Sequence, residues 1–158
     1  MSQKINLSKF KKKKLSKESN LKFFFWYLID NFIVNSFIPG STFRVLILRF
    51  FGAKIGKNVI IKPYVKIKFP WKLKIGDNSW IGEKVWIDNL DNVSIGDNSC
   101  ISQGVYMCTG NHNFRIETFD LSTREIQIGN NCWIAAKTII KPGTIIQDKT
   151  FVKIGSII

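Results

Sequence analysis

The sequence predicts an all-β fold, a solenoid of short strands in four to five coils, preceded by a helical segment. Two observations carry this prediction. Aliphatic residues recur at every sixth position, each followed four places later by a small or β-branched residue. Groups of three such hexads then open with near copies of one signature, Ile-Gly-Asp/Asn/Lys-Asn. An amphipathic helix repeats at about 3.6 residues and a simple strand at 2, so neither accounts for a period of six with a longer period above it.

The hexads begin at Ile55, Ile61 and Ile67, then at Ile75, Ile81 and Ile87, then at Ile95, Ile101 and Met107. After a gap they resume at Ile128, Ile134, Ile140, Ile146 and Val152. The signatures at Ile55, Ile75 and Ile95 lie 20 residues apart, which is three hexads plus two residues at a corner. Each hexad therefore supplies one flat face and one turn, and three hexads make one coil. The aliphatic residue points inward onto its equivalents above and below, while Gly-Asp/Asn serves the turn. Four coils run from Ile55 to Ile145, and a fifth opens at Ile146.

Before the coils, residues 21–52 read as a helical cap. Pro39-Gly40 divides it, and the second helix starts at Ser41 as N-cap and ends with Gly52 at C′. Phe43, Val45, Leu46, Ile47, Leu48, Phe50 and Phe51 make that helix apolar nearly all round. Covering the open end of the solenoid explains such a surface, since a bare end exposes strand edges and core. Contact with a membrane is a second and compatible reading.

Composition bounds the rest. A chain of 158 residues is one domain, and 45% hydrophobic with 22% charged residues is ordinary for a globular protein. The net charge of +13 is unevenly placed. Residues 1–22 hold eight lysines against Glu18 alone, a local charge of +7. Residues 1–20 read as a solvated, disordered basic tail. The aromatic stretch Phe23 to Ile29 that follows adds the case for an anionic membrane surface. Nucleic acid is not expected, because no recognition motif accompanies the charge. The run from Phe23 to Phe37 is too short to span a bilayer, is broken by Asp30, Asn31 and Asn35, and precedes no cleavage site. The expected location is cytoplasmic, peripheral to the inner membrane face. Cys100, Cys108 and Cys132 have no paired spacing and read as free thiols.

The repeat is interrupted once. The next signature after Ile95 comes 33 residues on, leaving an inserted loop from about residue 109 to 125. Insertions in solenoids become loops on one face and often carry binding function. The chain's only histidine, His112, sits at the start of this one. The 20-residue pitch places the Asn89 to Asn92 corner one coil below it, so Asn89 and Asp91 are candidates to hydrogen-bond a substrate or simply make the turn.

The string from Ile101 to Asn113, Ile-Ser-Gln-Gly-Val-Tyr-Met-Cys-Thr-Gly-Asn-His-Asn, resembles the colanic-acid-type acetyltransferases. These are hexapeptide-repeat acyltransferases akin to the maltose and galactoside O-acetyltransferases. Phe51 to Gly56, Pro70-Trp71 and Ile128 to Ala136 extend the likeness. The resemblance implies a left-handed parallel β-helix, and handedness rests on it alone. It also implies a homotrimer with sites between subunits, acetyl-CoA as co-substrate and a sugar or glycan acceptor. His112 would be the catalytic base, since an imidazole with an ordinary pKa of about 6.5 can take a hydroxyl proton. Trp133 resembles a tryptophan beside the acyl site, and Ala136 a position against the pantetheine arm. Lys137, with Lys141, Lys149 and Lys153, would suit CoA phosphates, and Ile154 with Gly155 reaches the start of the CoA region. Relatives continue beyond that region. The sequence stops at Ile158, so either a longer natural chain or weaker CoA binding is expected.

Rival readings have different standing. Carbonic anhydrases of this fold need three histidines for a metal, so a single one argues for no metal. A covalent route through Cys108 or Cys100 lacks a second histidine to activate the thiol. A non-catalytic scaffold and an acyl-carrier-protein-dependent acyltransferase remain as alternatives.

Overall fold

The computed structural model describes residues 4–12 and 15–158. Residues 1–3, Lys13 and Lys14, part of the basic run, lie outside the described residues. The coils form three parallel sheets that share one core. The first face is built from Lys54–Ile55, Leu73–Ile75, Val93–Ile95, Ile126–Ile128 and Ile145–Ile146. The second comprises Ile60–Ile61, Trp80–Ile81, Cys100–Ile101, Trp133–Ile134 and Phe151–Val152. The third comprises Lys66–Ile67, Trp86–Asp88, Tyr106–Cys108 and Ile139–Ile140. Five turns of a parallel solenoid result, matching a left-handed β-helix.

The hexad pattern sets the register. Ile55, Ile75, Ile95, Ile128 and Ile146 pair in sequence on the first face. Ile61, Ile81, Ile101, Ile134 and Val152 do so on the second, and Ile67 with Ile87, Met107 with Ile140 on the third. All are buried. Each coil alone exposes its aliphatic triplet at both ends, so stacking is what removes that surface from water. Two small polar members of the inner set satisfy each other: Ser99 N–H donates to Ser79 Oγ at 3.0 Å, and Cys132 N–H to Ser99 Oγ at 3.0 Å.

The turns explain the signature. Asp77 accepts the Lys57 N–H, Asp97 that of Asp77, Asn130 that of Asp97 and Asp148 that of Asn130, each at 2.7 to 2.8 Å. The asparagines that follow, Asn58, Asn78, Asn98 and Asn131, all take φ between 53° and 57°, a region asparagine tolerates better than most residues. The glycine is needed for space, because each Asx residue sits over the glycine of the coil before. A Cβ on Gly76 would overlap the Asp97 carboxylate and lie 2.6 Å from its backbone nitrogen. Gly76→Ala is therefore expected to cost about 1–3 kcal/mol and lower the melting temperature by roughly 3–10 °C. An unchanged melting curve would show that the stack is looser than this.

The cap closes the first coil face by face. Helix α1 (Asn20–Ile29) starts at Ser19, whose Oγ accepts the Lys22 N–H at 3.2 Å, and runs into a π-turn over Asp30–Val34. Helix α2 (Thr42–Phe50) ends as expected, with Gly52 at φ 99°. Ser41 does not cap it through its side chain. Its hydroxyl instead accepts the Ile61 N–H at 2.8 Å and donates to the Val59 carbonyl at 3.2 Å, tying down the second face. Arg49 donates to the Ile55 and Gly56 carbonyls of the first face. On the third, Trp26 donates to the Ile67 carbonyl at 3.0 Å, and Asp30 faces the Ile67 N–H at 3.4 Å. The open end is sealed by side chains that meet its unpaired backbone groups.

Asp30 gives this cap a pH dependence. Burial pushes its carboxyl up to about 7, with the Ile67 N–H and Lys66 pulling the other way. The folded value lies above the unfolded one of about 3.9, so the fold prefers the protonated acid. That contribution is complete below the unfolded value and is lost as pH rises through about 7. The wild-type melting temperature is expected to fall between about pH 4 and 7 and to level off above, and Asp30→Asn to flatten the slope. Equal slopes in the two proteins would place the titrating group elsewhere.

Candidate active site

The inserted segment leaves the solenoid at the corner between the third and first faces. It is not an irregular loop throughout. Gly110–His112 pairs antiparallel with Leu121–Thr123, aligning Gly110 with Thr123, Asn111 with Ser122 and His112 with Leu121. The base of this hairpin is braced from the coil below. Thr109 Oγ1 accepts the Asp91 N–H at 2.9 Å, and Thr123 donates to Asp91 Oδ2 at 3.0 Å. Gly110 rides directly over Leu90, where a Cβ would meet Leu90 Cδ1 at 2.7 Å.

At the end of the first hairpin strand, His112 stacks on Phe119 with ring centroids 4.3 Å apart and planes 6° apart. Its Nδ1 lies 2.8 Å from the Phe119 carbonyl oxygen. A carbonyl only accepts, so the neutral ring carries its proton on Nδ1 and leaves the Nε2 lone pair free. Nε2 has no hydrogen-bond partner among the described residues. Cys108 Sγ donates to the Gly110 carbonyl at 3.1 Å, so the nearby thiol is engaged away from the imidazole.

His112 lines a cavity of about 750 Å³. Phe23, Phe69, Leu90 and Leu121 give its apolar walls, and Lys68 a cation held 3.0 Å from Asp88. Its remaining wall comes from the N-terminal segment through Phe10, Lys12 and Leu15. That segment is fixed to the hairpin: Asn6 N–H donates to the Glu117 carbonyl at 2.9 Å, and Lys9 pairs with the Glu117 carboxylate at 2.9 Å. Phe10 packs on the His112 ring at 5.6 Å, and Lys72 Nζ holds the Leu15 carbonyl at 2.7 Å. Burial pulls the Lys72 ammonium below its ordinary pKa, with Asp91 opposing. None of these wall residues was selected from sequence, and only the pairing of aromatic with basic residues near the N-terminus hinted at them.

The residues selected from sequence fall on two corners and a face. His112, Asn89 and Asp91 share the corner between the third and first faces. Asn89 is fully buried, its amide donating to the Phe69 carbonyl at 2.7 Å and accepting the Phe69 N–H at 2.9 Å. It is a staple between coils, with no side-chain atom left for a substrate. Asp91 is half-buried, and its two oxygens accept from Asn92 N–H and Thr123. Trp133 lies exposed on the second face, its ring tilted 40° against that of Phe151 at 4.8 Å, with Nε1 donating to Ser102 Oγ at 2.9 Å. Ala136 and Lys137 turn the corner between the second and third faces, and Ile154 sits above Ala136 one coil on. The chain therefore brings Ala136, Lys137 and Ile154 together but leaves them on a different corner from His112. A separate groove of about 530 Å³ runs on the far side of the hairpin, between Asn111, Ser122 and Arg124 and the last coil at Lys141 to Thr144 and Ile158. No three acids, cysteines or histidines among the described residues cluster as a metal site.

The repeat, the three-sided parallel coil and the hairpin inserted at one corner define a hexapeptide-repeat protein, by sequence as by fold. The family profile described as hexapeptide repeat of succinyl-transferase matches residues 72–107. The chain is homologous to WcaF of Escherichia coli strain K12, named as a colanic acid biosynthesis acetyltransferase. The two are 46% identical over 109 residues, 69% of this chain and 60% of the relative. Galactoside O-acetyltransferase of the same organism is 29% identical over 109 residues, 67% of this chain and 54% of that protein. The chain thus spans just over half the length of these curated relatives. Among solved structures, a hexapeptide-repeat acetyltransferase of Vibrio cholerae in complex with acetyl-CoA superposes with a TM-score of 0.80 at 20% identity, over 90% of this chain and 79% of that one. A maltose O-acetyltransferase of Clostridium difficile gives 0.77 at 20%, over 89% and 78%. At this identity the two structures speak for the fold.

Proposed function

We propose that the protein is an acetyl-CoA-dependent O-acetyltransferase that modifies a sugar hydroxyl of a surface glycan, with His112 as general base. The observation that carries the reading is the bond from His112 Nδ1 to the Phe119 carbonyl, which leaves Nε2 unpaired on a ring that lines a cavity. A sugar hydroxyl is a poor nucleophile at neutral pH, and a positioned base removes its proton as it attacks. In this scheme Nε2 takes the hydroxyl proton while the oxygen bonds to the thioester carbonyl carbon. The tetrahedral oxyanion collapses, the carbon–sulfur bond breaks, and the imidazolium returns the proton to the leaving CoA thiolate. Ester and free thiol are the products. The relationship to WcaF and to galactoside O-acetyltransferase supports the transferred group and the acceptor class.

For CoA, Ala136 offers a small side chain beneath Ile154, and Lys137 and Lys153 are exposed at that same corner, while the exposed Lys149 lies at the corner between the first and second faces and the exposed Lys141 beside the hairpin. Phosphate oxygens would pair with such ammonium groups. The distance around the triangle between this corner and His112 argues that a working site takes His112 from one protomer and the lysine-bearing corner from a neighbour. A homotrimer with three shared sites satisfies that geometry.

The test is acetyl-CoA turnover followed by thiol release, over a panel of mono- and oligosaccharide acceptors, with ester formation confirmed by mass. Transfer to at least one sugar is the expected result. Absence of CoA binding by calorimetry would favour a scaffold, and transfer from an acylated carrier protein but not from acetyl-CoA would favour the lipid-precursor reading.

A further inference from the structure

The helical cap uses only one of its two surfaces to close the solenoid. Trp26, Val34, Val45, Leu48 and Phe51 are buried in the common core. The opposite surface is no less apolar. Leu21, Phe24, Phe25, Tyr27, Leu46 and Phe50 are exposed, Phe50 to 85%, and so are Phe32 and Phe37 at 73% each. These side chains contribute nothing to sealing the first coil. Leu21 and Phe25 of α1 line one groove with Phe50 of α2, and Phe24 meets Phe25 edge to face at 5.8 Å. Leu21, Phe24, Phe25 and Phe50 therefore form one apolar patch that bridges the two helices, and a cluster of this kind marks an interaction surface more than singly scattered side chains do.

Charge selects the occupant. The segment leading into α1 carries eight lysines and one glutamate over residues 1–22. Lys9 and Lys22 are spent on Glu117 and Glu18. Lys4, Lys11, Lys12 and Lys17 are exposed and have no acidic partner among the described residues. A second copy of the chain would bring one such cluster against another of the same sign. A nucleic acid would take the lysines but has no use for a phenylalanine surface. An anionic bilayer takes both, because aromatic and aliphatic side chains enter the headgroup boundary while lysines meet lipid phosphates.

We propose that the N-terminal segment and the outer surface of α1 and α2 dock the protein on an anionic lipid bilayer. It lies on the surface and does not cross it: α1 is 10 residues long, and no helix among the described residues is long and apolar enough to span a membrane. The same segment places the cavity beside His112 at the membrane surface, since Phe10, Lys12, Leu15 and Phe23 line that cavity. Docking itself stands apart from the proposed acetyl transfer. That the acceptor glycan is carried on a membrane lipid rests on the proposed transfer as well.

The test needs no activity. The full chain is mixed with vesicles of phosphatidylcholine alone, or of phosphatidylcholine with phosphatidylglycerol, and sedimented. Partitioning is expected on the anionic vesicles and to fall about tenfold when salt is raised from about 0.1 to 0.5 M. Phe24→Ser/Phe25→Ser/Phe50→Ser is expected to lose partitioning by about tenfold or more, with an unchanged melting temperature. Lys11→Glu/Lys12→Glu tests the charge without touching the helices. Equal binding to neutral and anionic vesicles, or none to either, would overturn the proposal. So would a triple-serine variant that changes oligomeric mass but not lipid binding, which would make the surface a contact between copies. Vesicle binding without any acetyl transfer would keep the docking and sink only the proposed activity.

Discussion

Replacing His112 with alanine is expected to lower kcat for acetyl transfer by about 10² to 10⁴. The KM for acetyl-CoA should change little, because the imidazole is proposed to act on the acceptor hydroxyl and is not among the groups proposed to hold CoA. The loss should be chemical, because the ring sits at a half-buried hairpin position and outside the solenoid core. What the fold loses is the stacking on Phe119, the tilted contact with Phe10 and the hydrogen bond to the Phe119 carbonyl, all on the hairpin, so the melting temperature should shift by no more than a few degrees. Phe119→Ala separates the two roles. It removes the stacking ring but keeps the carbonyl that fixes the Nδ1 proton, so its loss in kcat should be much smaller than that of the alanine at 112. A His112→Ala enzyme within threefold of wild type would remove the histidine from the reaction. A variant that lost activity together with its melting transition would say only that the hairpin had collapsed.

Much of the scaffold around His112 was legible because one rule repeats. An inward aliphatic residue every six positions must stack on its own kind, so Ile81 announces the burial of Ile61 and Ile101 before any coordinates exist. The turn signature is equally direct, since the Asp or Asn of one coil sits over the glycine of the coil before. Handedness was not legible, because a left- and a right-handed coil bury the same triplets. The insertion was legible as a break but not as a hairpin. Its strands are three residues each, too short for alternation to stand out, and their pairing depends on the brace from Asp91 to Thr123 across 32 residues. Asn89 shows a different limit. At a corner, sequence spacing says which coil a polar residue belongs to but not whether its amide turns inward, and here it turns inward onto Phe69. The contacts of Asn6 and Lys9 with Glu117 likewise join positions far apart in the chain, and no local pattern announces them.

Arg44→Leu is expected to remove about 3–5 kcal/mol of stability, the largest loss from any single side chain of the cap. Sequence makes this helix look apolar nearly all round, and nothing in the pattern singles out Arg44. It is fully buried. Its Nε donates to the Val34 carbonyl at 2.9 Å, and Nη2 donates to those of Ser36 at 2.9 Å and Ile38 at 2.7 Å. Nη1 donates to the carbonyl of Gly40. These acceptors belong to the end of the π-turn and the irregular link to α2, where no regular ladder supplies donors. Only a guanidinium offers enough N–H groups in one plane to meet four carbonyls at once. Burial lowers its pKa from the ordinary value, but that value is so high that the group stays charged. Carbonyl dipoles then do for the cation what water would do outside. Leucine occupies most of the space and leaves the Val34, Ile38 and Gly40 carbonyls without donors, Ser36 keeping the Tyr64 N–H, and each buried orphan costs about 1–3 kcal/mol before relaxation. Lysine restores the charge with three donors and no fork, so Arg44→Lys should fall between wild type and leucine. Urea unfolding of the three proteins measures the series, and a leucine variant within about 1 kcal/mol of wild type would mean the link repacks. Because the cap meets the first coil through Ser41, Arg49 and Trp26, its loosening should expose the Ile55, Ile61 and Ile67 amides first. Hydrogen exchange at those positions in the leucine variant should therefore quicken ahead of exchange at Ile95 and Ile101.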